Sequence, residues 1–145
     1  MNDCGYKNEL LASIPIVKGM DLDIQLVEVR KIVLSAPLNK NINYEGTAFG
    51  GSINTLAIFS CYLLTHHILK SNTVSFKSLV IQNSEINYLE PVSSNFLATA
   101  EVDQYSLDRF VSTMARRRVA RLSVQSKITV DEKTKCLFNG RFVAS

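Results

Sequence analysis

Apolar residues alternate with polar ones in several short segments, a pattern typical of half-buried β-strands. In the clearest, residues 118–130, Ala120, Leu122 and Val124 alternate with polar side chains. One face of this strand is therefore expected to be buried and the other to face solvent or an interface. Five further segments, rich in Val, Ile and Leu, are also predicted to be strands: 23–28, 31–38, 79–88, 95–102 and 135–144.

Three other segments show helical spacing of their apolar residues. Residues 8–17 predict a short N-terminal helix that Pro15 interrupts, and residues 106–116 predict an amphipathic helix with Ser106 as its N-cap. Residues 52–65 contain no charge and have apolar side chains on every side. They predict a helix about 21 Å long that is buried all round. An antiparallel sheet of about six strands curled around this helix, an α+β fold, accounts for the order of elements.

Length and composition point to one domain over residues 1–145. The chain is 46% hydrophobic and 20% charged, as expected for a folded protein with one core. Its formal charge of +3 suits a small anionic ligand and falls short of the basic surface that nucleic-acid binding needs. Residues 1–5 lack the features of a signal peptide, and the charge-free helix is shorter than a membrane span. We therefore expect a cytoplasmic protein with neither nucleic acid nor membrane as a partner.

The cysteines and histidines do not suggest a cofactor. The three cysteines are an odd number without metal-ligand spacing, so we expect no disulfide framework, no metal and no redox cofactor. Cys61 has no basic neighbour that would lower its pKa and is interpreted as a buried structural thiol. His66 and His67 point about 100° apart on a helix and cannot chelate one metal as an i, i+4 pair would. We interpret them as the exit of the buried helix.

The long polar loop of residues 39–51 leads into the buried helix and ends in two glycines, Gly50 and Gly51. Glycines at a helix start let a ligand approach the backbone, and the first-turn amides there have no intrahelical acceptors. Such amides can stabilise a carbonyl oxygen that gains negative charge, by about 3–4 kcal/mol per donor. The structural alternative is that the glycines permit close helix–sheet packing and that Asn43 caps a turn.

Residues 43–52, Asn-Tyr-Glu-Gly-Thr-Ala-Phe-Gly-Gly-Ser, resemble the N-x-x-G-x-x-H-G-G segment of hotdog-fold acyl-CoA thioesterases, with Phe49 at the histidine position. Together with residues 36–38, 88–92 and 118–122, the pattern is similar to the YiiD C-terminal thioesterase family. The resemblance covers nearly the whole chain. It implies the hotdog fold, in which a curved antiparallel sheet wraps around one central helix.

The resemblance also implies a hydrolase that cleaves an acyl-CoA or acyl-carrier thioester, with CoA present only as part of the substrate. The cleft would lie between the subunits of a homo-oligomer, a dimer or a tetramer, and uncovered sheet edges independently favour a homodimer. The Gly50 amide would polarise the carbonyl and the Asn43 side chain would position the carbonyl or the attacking water. The candidate catalytic residues are Asn43, Gly50, Gly51 and Glu85. The candidate substrate contacts are Asn41, Phe49, Ser52, Ser84, Tyr88, Arg118 and Arg121.

The chain departs from the better-known hotdog thioesterase pattern at Ile58, where many proteins with that pattern carry an acidic residue nine positions after the motif histidine. A base must then come from elsewhere, either Glu45 in the loop or Glu85 on the following strand. Strand alternation places Ser84, Ile86 and Tyr88 on one face and Glu85 on the other. The arginines near residue 118 could bind CoA phosphates or form a solvated helix end.

Two alternatives to hydrolysis follow from these departures. A non-catalytic acyl-CoA-binding module is the first, and Ile58 is the observation that favours it. A hotdog dehydratase or hydratase is the second. It is less favoured, because such enzymes need a histidine near the cleft and Phe49 occupies the obvious position.

Overall fold

The structure, a computed structural model, describes residues 4–145 apart from the side chains of Cys4 and Tyr6. The expectation about a missing signal segment falls partly on residues 1–3, outside the described residues. In chain order the elements are α1 (Cys4–Ser13), α2 (Pro15–Gly19), β1 (Asp23–Glu28), β2 (Lys31–Ala36), a 3₁₀ turn (Leu38–Lys40), α3 (Gly50–Ser71), β3 (Leu79–Tyr88), β4 (Phe96–Glu101), α4 (Gln104–Arg117), β5 (Ala120–Val130) and β6 (Lys133–Ala144).

The six strands form one antiparallel sheet in the order β1-β2-β4-β5-β6-β3. Helix α3 packs against five of them, from β2 to β6, so the sheet curves around the helix. On β5 the predicted alternation is present: the even-numbered residues from Ala120 to Ile128 are buried and the odd-numbered ones are exposed. The α+β hotdog fold expected from the sequence is therefore confirmed.

Helix α3 is longer than the sequence predicted. It has 22 residues rather than ending near residue 65, because His66 and His67 are 9% and 6% exposed and continue the buried helix. The expectation that this segment is too short for a membrane span was therefore wrong. By length and composition α3 could cross a membrane, and most of it is buried inside the fold.

The expectation that the central helix is buried all round was also wrong for this chain. Between the start of α3 and Tyr62, Gly51 is exposed and Thr55, Ile58 and Tyr62 are only partly buried. Their spacing of three or four residues puts all four on one helix face. We call this face the open stripe; it consists of Gly51, Thr55, Ile58 and Tyr62.

Two helix boundaries differ from the sequence-based prediction for local reasons. The predicted N-terminal helix is two helices, because Ile14 is extended before Pro15, as residues preceding proline generally are. Helix α4 is capped by Asp103, whose carboxylate accepts a hydrogen bond from the Ser106 amide at 2.7 Å, so Ser106 is not the N-cap. Asp103 is one turn nearer the N-terminus and satisfies an amide that would otherwise have no intrahelical partner.

Candidate active site

The loop that leads into α3 is closed by Asn41. This side chain is 3% exposed, and its Nδ2 donates to the carbonyl oxygens of Met20 at 3.0 Å and Pro37 at 2.8 Å. The Asn41 carbonyl accepts from the amide of Phe49 at 2.7 Å, which joins the two ends of the loop. Asn41 was a candidate substrate contact, and the structure places its amide nitrogen in the interior, holding the loop to the core.

Asn43 organises the tip of the same loop. Its Oδ1 accepts from the amides of Glu45 at 2.8 Å and Thr47 at 3.0 Å, and its Nδ2 donates to Thr47 Oγ1 at 2.8 Å. Gly46, with φ +85°, completes the turn in a conformation that favours glycine. This is the Asx-type turn of the structural alternative. The hydrogen-bonding groups of the side chain are thus engaged inside the loop.

The first turn of α3 has no side-chain cap. Phe49 is the N-cap residue with φ −63° and ψ 130°, and its carbonyl accepts the first helical bond, from Ile53 at 3.0 Å. Within the described part of the chain, the amides of Gly50, Gly51 and Ser52 find no hydrogen-bond acceptor. These donors lie at the positive end of the helix dipole, where an anionic oxygen is stabilised.

Two aromatic rings flank these amides. The Tyr88 hydroxyl donates to the Gly50 carbonyl at 3.0 Å, and its ring lies about 3.6 Å from the place a Gly50 Cβ would occupy. On the other side the Phe49 ring covers Gly51 so closely that a Cβ there would overlap it. Burial, with a smaller effect of Cys136, raises the pKa of Tyr88, so its hydroxyl remains a donor at neutral pH. The structure thus brings Phe49, Gly50, Gly51 and Tyr88 together.

The candidate base Glu85 is not part of this group. Glu85 pairs with exposed Asn139, whereas Ser84 and Tyr88 pair with buried Gly140 and Cys136. The predicted alternation on β3 is confirmed, and it places Ser84 on the inner face and Glu85 on the outer face, away from α3. The open stripe supplies no carboxylate either, since its four residues are Gly51, Thr55, Ile58 and Tyr62.

The other candidate base, Glu45, and a second nearby carboxylate, Glu90, differ in their surroundings. Glu45 is exposed at the loop tip. Glu90 follows Tyr88 closely and forms a 2.6 Å ion pair with Lys135. The hydrogen bond from Lys135, with its positive charge, lowers the pKa of Glu90, so this carboxylate stays ionised and paired.

The arginine candidates lie elsewhere in the chain. Arg121 is on the outer face of β5, where its Nε donates to Gln82 Oε1 at 3.2 Å. Arg118 ends α4 and lines a recess with Phe76 and Lys77, just beyond the C-terminal end of α3. That recess is about 33 Å along the helix from Gly50. Neither arginine reaches the first-turn amides of its own chain.

Cys61 and His66 are structural residues. Cys61 is fully buried, and burial raises its pKa, which keeps the thiol protonated and confirms its assignment. Burial, with the nearby charges of Lys70 and Lys7, lowers the pKa of His66 to about 4, and its ring packs edge-on against Phe76 at 5.4 Å. Residues 4–145 contain no cluster of three His, Cys, Asp or Glu side chains suited to a metal. Metal independence itself stays a prediction.

Sequence reasoning missed an apolar groove beside the open stripe. It has a volume of about 360 Å³ and lies between α2, α3, β3 and β6. Its lining includes Ile14, Val17, Ile58, Tyr62, Ile81 and Phe142. The spacing of Gly51, Thr55, Ile58 and Tyr62 was a usable signal, but the helix was interpreted as covered on all sides.

Solved structures share this fold at low sequence identity. A protein of unknown function from Chlorobaculum tepidum is 25% identical, with a TM-score of 0.86 over 94% of this chain and 90% of that chain. A "putative thioesterase" from Shewanella oneidensis is 23% identical, with a TM-score of 0.81 over 95% and 93% of the two chains. A thioesterase from Haemophilus influenzae is 19% identical, with a TM-score of 0.74 over 96% of this chain and 87% of that chain.

The family comparison covers almost the whole sequence. The family model described as "Putative thioesterase (yiiD_Cterm)" matches residues 6–145. This range includes the loop closed by Asn41, the uncapped start of α3 and every strand of the sheet. The chain therefore belongs to the YiiD C-terminal family of putative thioesterases.

Proposed function

We propose that the protein hydrolyses an acyl-CoA or acyl-carrier thioester at the N-terminus of α3. The observation that carries this proposal is the uncapped first turn, whose amides have no acceptor in the described chain and lie between two aromatic rings. Family membership supports the thioester as substrate class, as do the neighbours from Shewanella oneidensis and Haemophilus influenzae that are named thioesterases.

In the proposed reaction the thioester carbonyl oxygen accepts hydrogen bonds from the Gly50 and Gly51 amides. A water oxygen attacks the carbonyl carbon, and the resulting oxyanion is held by the same donors, each worth about 3–4 kcal/mol. The carbon–sulfur bond then breaks, and the thiolate takes up, through solvent, the proton that the water released. The products are a carboxylic acid and a free thiol.

Asn43 and Tyr88 act in this proposal as positioning residues. Asn43 fixes the turn that delivers Phe49 to the helix start, and Tyr88 holds the Gly50 carbonyl and with it the orientation of the first turn. Ser84 lies exposed on the inner face of β3, on the helix side of the sheet, and is a polar candidate for orienting the water.

We further propose a homodimer in which the cleft is shared. Strand β3 is an edge strand of ten residues, with Val80 55% exposed and no neighbour on one side within the described residues. A long edge strand with exposed apolar side chains is a surface for pairing. The opposite edge, β1, has only six residues and carries a charged residue at each end, Asp23 and Glu28. These features protect β1 from pairing and favour β3 as the dimer edge.

The second candidate function is a non-catalytic module that binds the same thioester. It is favoured by one specific observation: Ile58 faces the open stripe, and Glu85 lies on the other face of the sheet, so the helix side has neither of these two candidate carboxylates.

One experiment separates the two functions. Free-thiol release would be measured with acyl-CoA substrates from two to sixteen carbons, alongside calorimetric binding of a non-hydrolysable thioether analogue. Turnover supports the hydrolase. Binding of the analogue without thiol release from any substrate supports the binding module. Light scattering at micromolar concentration tests the dimer, and a monomer there would contradict the shared cleft.

A further inference from the structure

The open stripe connects the first-turn amides to the apolar groove. Gly51, Thr55, Ile58 and Tyr62 share one face of α3, and from Gly51 to Tyr62 this face runs for about 16 Å. The groove opens along the second part of this path, where Ile58 and Tyr62 form its helix side. A ligand whose carbonyl is held at the helix start can therefore extend along one continuous surface into the groove.

The lining of the groove is chemically uniform. None of its residues carries a charge, and the polar atoms it offers are few, chiefly the Thr55 and Tyr62 hydroxyls. Burial raises the pKa of Tyr62, which keeps its hydroxyl neutral. An unpaired charge is costly to bury in such surroundings, whereas hydrocarbon is stabilised there. A volume of about 360 Å³ falls in the usual range for small-ligand sites.

We propose that this groove binds the aliphatic chain of the acyl group, so that the substrates are thioesters of medium or long unfunctionalised fatty acids. The inference rests on the proposed function, because the first-turn amides fix where the chain begins. Ile58 is then the residue that selects hydrocarbon, because its apolar side chain lies at the point where the acyl chain passes from the open stripe into the groove.

Two properties of the groove identify an aliphatic chain as its ligand: it is continuous with the helix start, and its lining is uncharged. A short acyl group bound at the helix start ends before Ile58 and leaves the groove empty. A dicarboxylic acyl group of greater length brings its second carboxylate against Ile81 and Phe142, where no cationic side chain of the described residues lines the groove. An aliphatic chain alone matches both the length of the path and its chemistry.

The test measures binding of free fatty acids, which does not depend on turnover. Saturated acids of four to sixteen carbons would be titrated against the wild-type protein by displacement of a fluorescent fatty acid. Affinity is expected to rise about fourfold per added methylene, equivalent to about 0.8 kcal/mol, until the groove is filled. Equal affinity for all lengths, or tighter binding of dicarboxylic or aromatic acids of matched carbon number, would overturn the proposal.

Two matched variants test whether the fatty-acid chain binds in the groove. Ile81 and Leu97 are each 38% exposed, and only Ile81 lines the groove. Ile81→Trp should weaken long-chain binding by at least about tenfold, the equivalent of about two buried methylenes, and leave four-carbon binding unchanged. Leu97→Trp should change neither. Equal effects of the two variants would show that the chain binds elsewhere.

The result also separates this inference from the proposed function. If thiol release is absent but the fatty-acid gradient and the Ile81→Trp loss are present, hydrolysis is wrong and the groove assignment stands. If thiol release occurs without a chain-length gradient, hydrolysis stands and the groove assignment is wrong.

Should Ile81→Trp not fold, as judged by circular dichroism, Ile58→Ala replaces it. That variant enlarges the groove and should shift the plateau of affinity to longer acids, and an unshifted plateau would count against the groove.

Discussion

The two ends of α3 differ in whether their terminal backbone groups have hydrogen-bond partners. At the C-terminal end the Ile68 carbonyl accepts from the amide and Nδ2 of Asn72, and Leu69 and Lys70 accept from the amides of Val74 and Thr73. At the N-terminal end the first three amides have no acceptor in the described chain. Residues 63–69 are buried on every side, whereas the N-terminal half carries the open stripe. One end of the helix is closed by the fold and the other is left open to a ligand.

The two parts of α3 therefore have different roles: the C-terminal part stabilises the fold, and the N-terminal end leaves backbone donors accessible to a ligand. Burial on all sides stabilises a helix, and it also removes the backbone from any substrate. Glycines at positions 50 and 51 and an N-cap without a side-chain acceptor contribute little to stability and leave the donors unpaired. Substitutions in the C-terminal half should therefore change the free energy of unfolding, and substitutions at the N-terminus should change activity.

The largest effect is expected for Leu64→Ala in the closed half. Leu64 is fully buried, and removal of a buried leucine side chain should lower the free energy of unfolding by about 2–5 kcal/mol. Urea denaturation measures this loss. Activity per folded molecule should stay close to wild type, and a strong loss of kcat with little change in stability would remove the distinction between the two halves.

The second-largest effect is expected for Gly50→Pro, which tests the role of the Gly50 amide at the open end of α3. Gly50 is the first helical residue, where proline is tolerated, and Phe49 already has the extended backbone that precedes a proline. The substitution therefore removes one donor with little disturbance of the helix. We expect kcat to fall by about 10²–10³-fold with a nearly unchanged melting temperature.

Gly50→Ala is the matched control. It keeps the amide and adds a Cβ at an ordinary contact distance of 3.6 Å from the Tyr88 ring. Its activity should remain within a few fold of wild type. If the alanine variant loses as much activity as the proline variant, the cause is crowding against Tyr88 rather than the missing donor.

The sequence was sufficient for the strands and for the presence of the central helix, because periodicity reports burial directly. The alternation on β5 and the charge-free helix each had one interpretation. His66 and His67 misled because polar residues usually mark a helix exit, and here the fold buries both. The open stripe was missed for the related reason that an apolar sequence does not say which apolar residues the rest of the chain covers.

For the candidate site the sequence located the loop and the glycines but not the role of each side chain. The spacing of Asn43 and Gly50 identified the segment, yet the hydrogen bonds of Asn43 to Glu45 and Thr47 depend on the folded turn. The sequence suggested Glu85 on the strand after the helix, and the structure places it on the face of β3 that points away from α3. To know which face of β3 lies towards the site, one needs the position of α3. The local sequence pattern of the strand does not give that position.

A smaller effect is expected for Asn43, and it distinguishes positioning from substrate contact. Asn43→Ala removes four side-chain hydrogen bonds of the turn and should lower stability by about 1–2 kcal/mol and kcat/KM by roughly tenfold. Asn43→Asp keeps both acceptor bonds to the amides of Glu45 and Thr47 and should recover most of the activity. If the Asn43 Nδ2 group instead donates to the substrate, the aspartate variant will be as inactive as alanine.

The smallest effect concerns Tyr88→Phe, which removes one hydrogen bond at the open end and keeps the ring against Gly50. The lost bond to the Gly50 carbonyl should cost about 0.5–1.5 kcal/mol, seen as a modest fall in stability and less than tenfold in kcat.

Because the pKa of Tyr88 is raised above its ordinary value of 10.0, the hydroxyl donates throughout the neutral range. Its contribution to stability is fully present below the unfolded pKa and is lost as pH rises through the higher folded pKa. Wild type and variant should therefore differ by a constant free energy of unfolding from pH 6 to pH 9 and converge at higher pH. A difference that disappears already near pH 7 would show that the Tyr88 hydroxyl ionises early and is not the donor that holds the first turn.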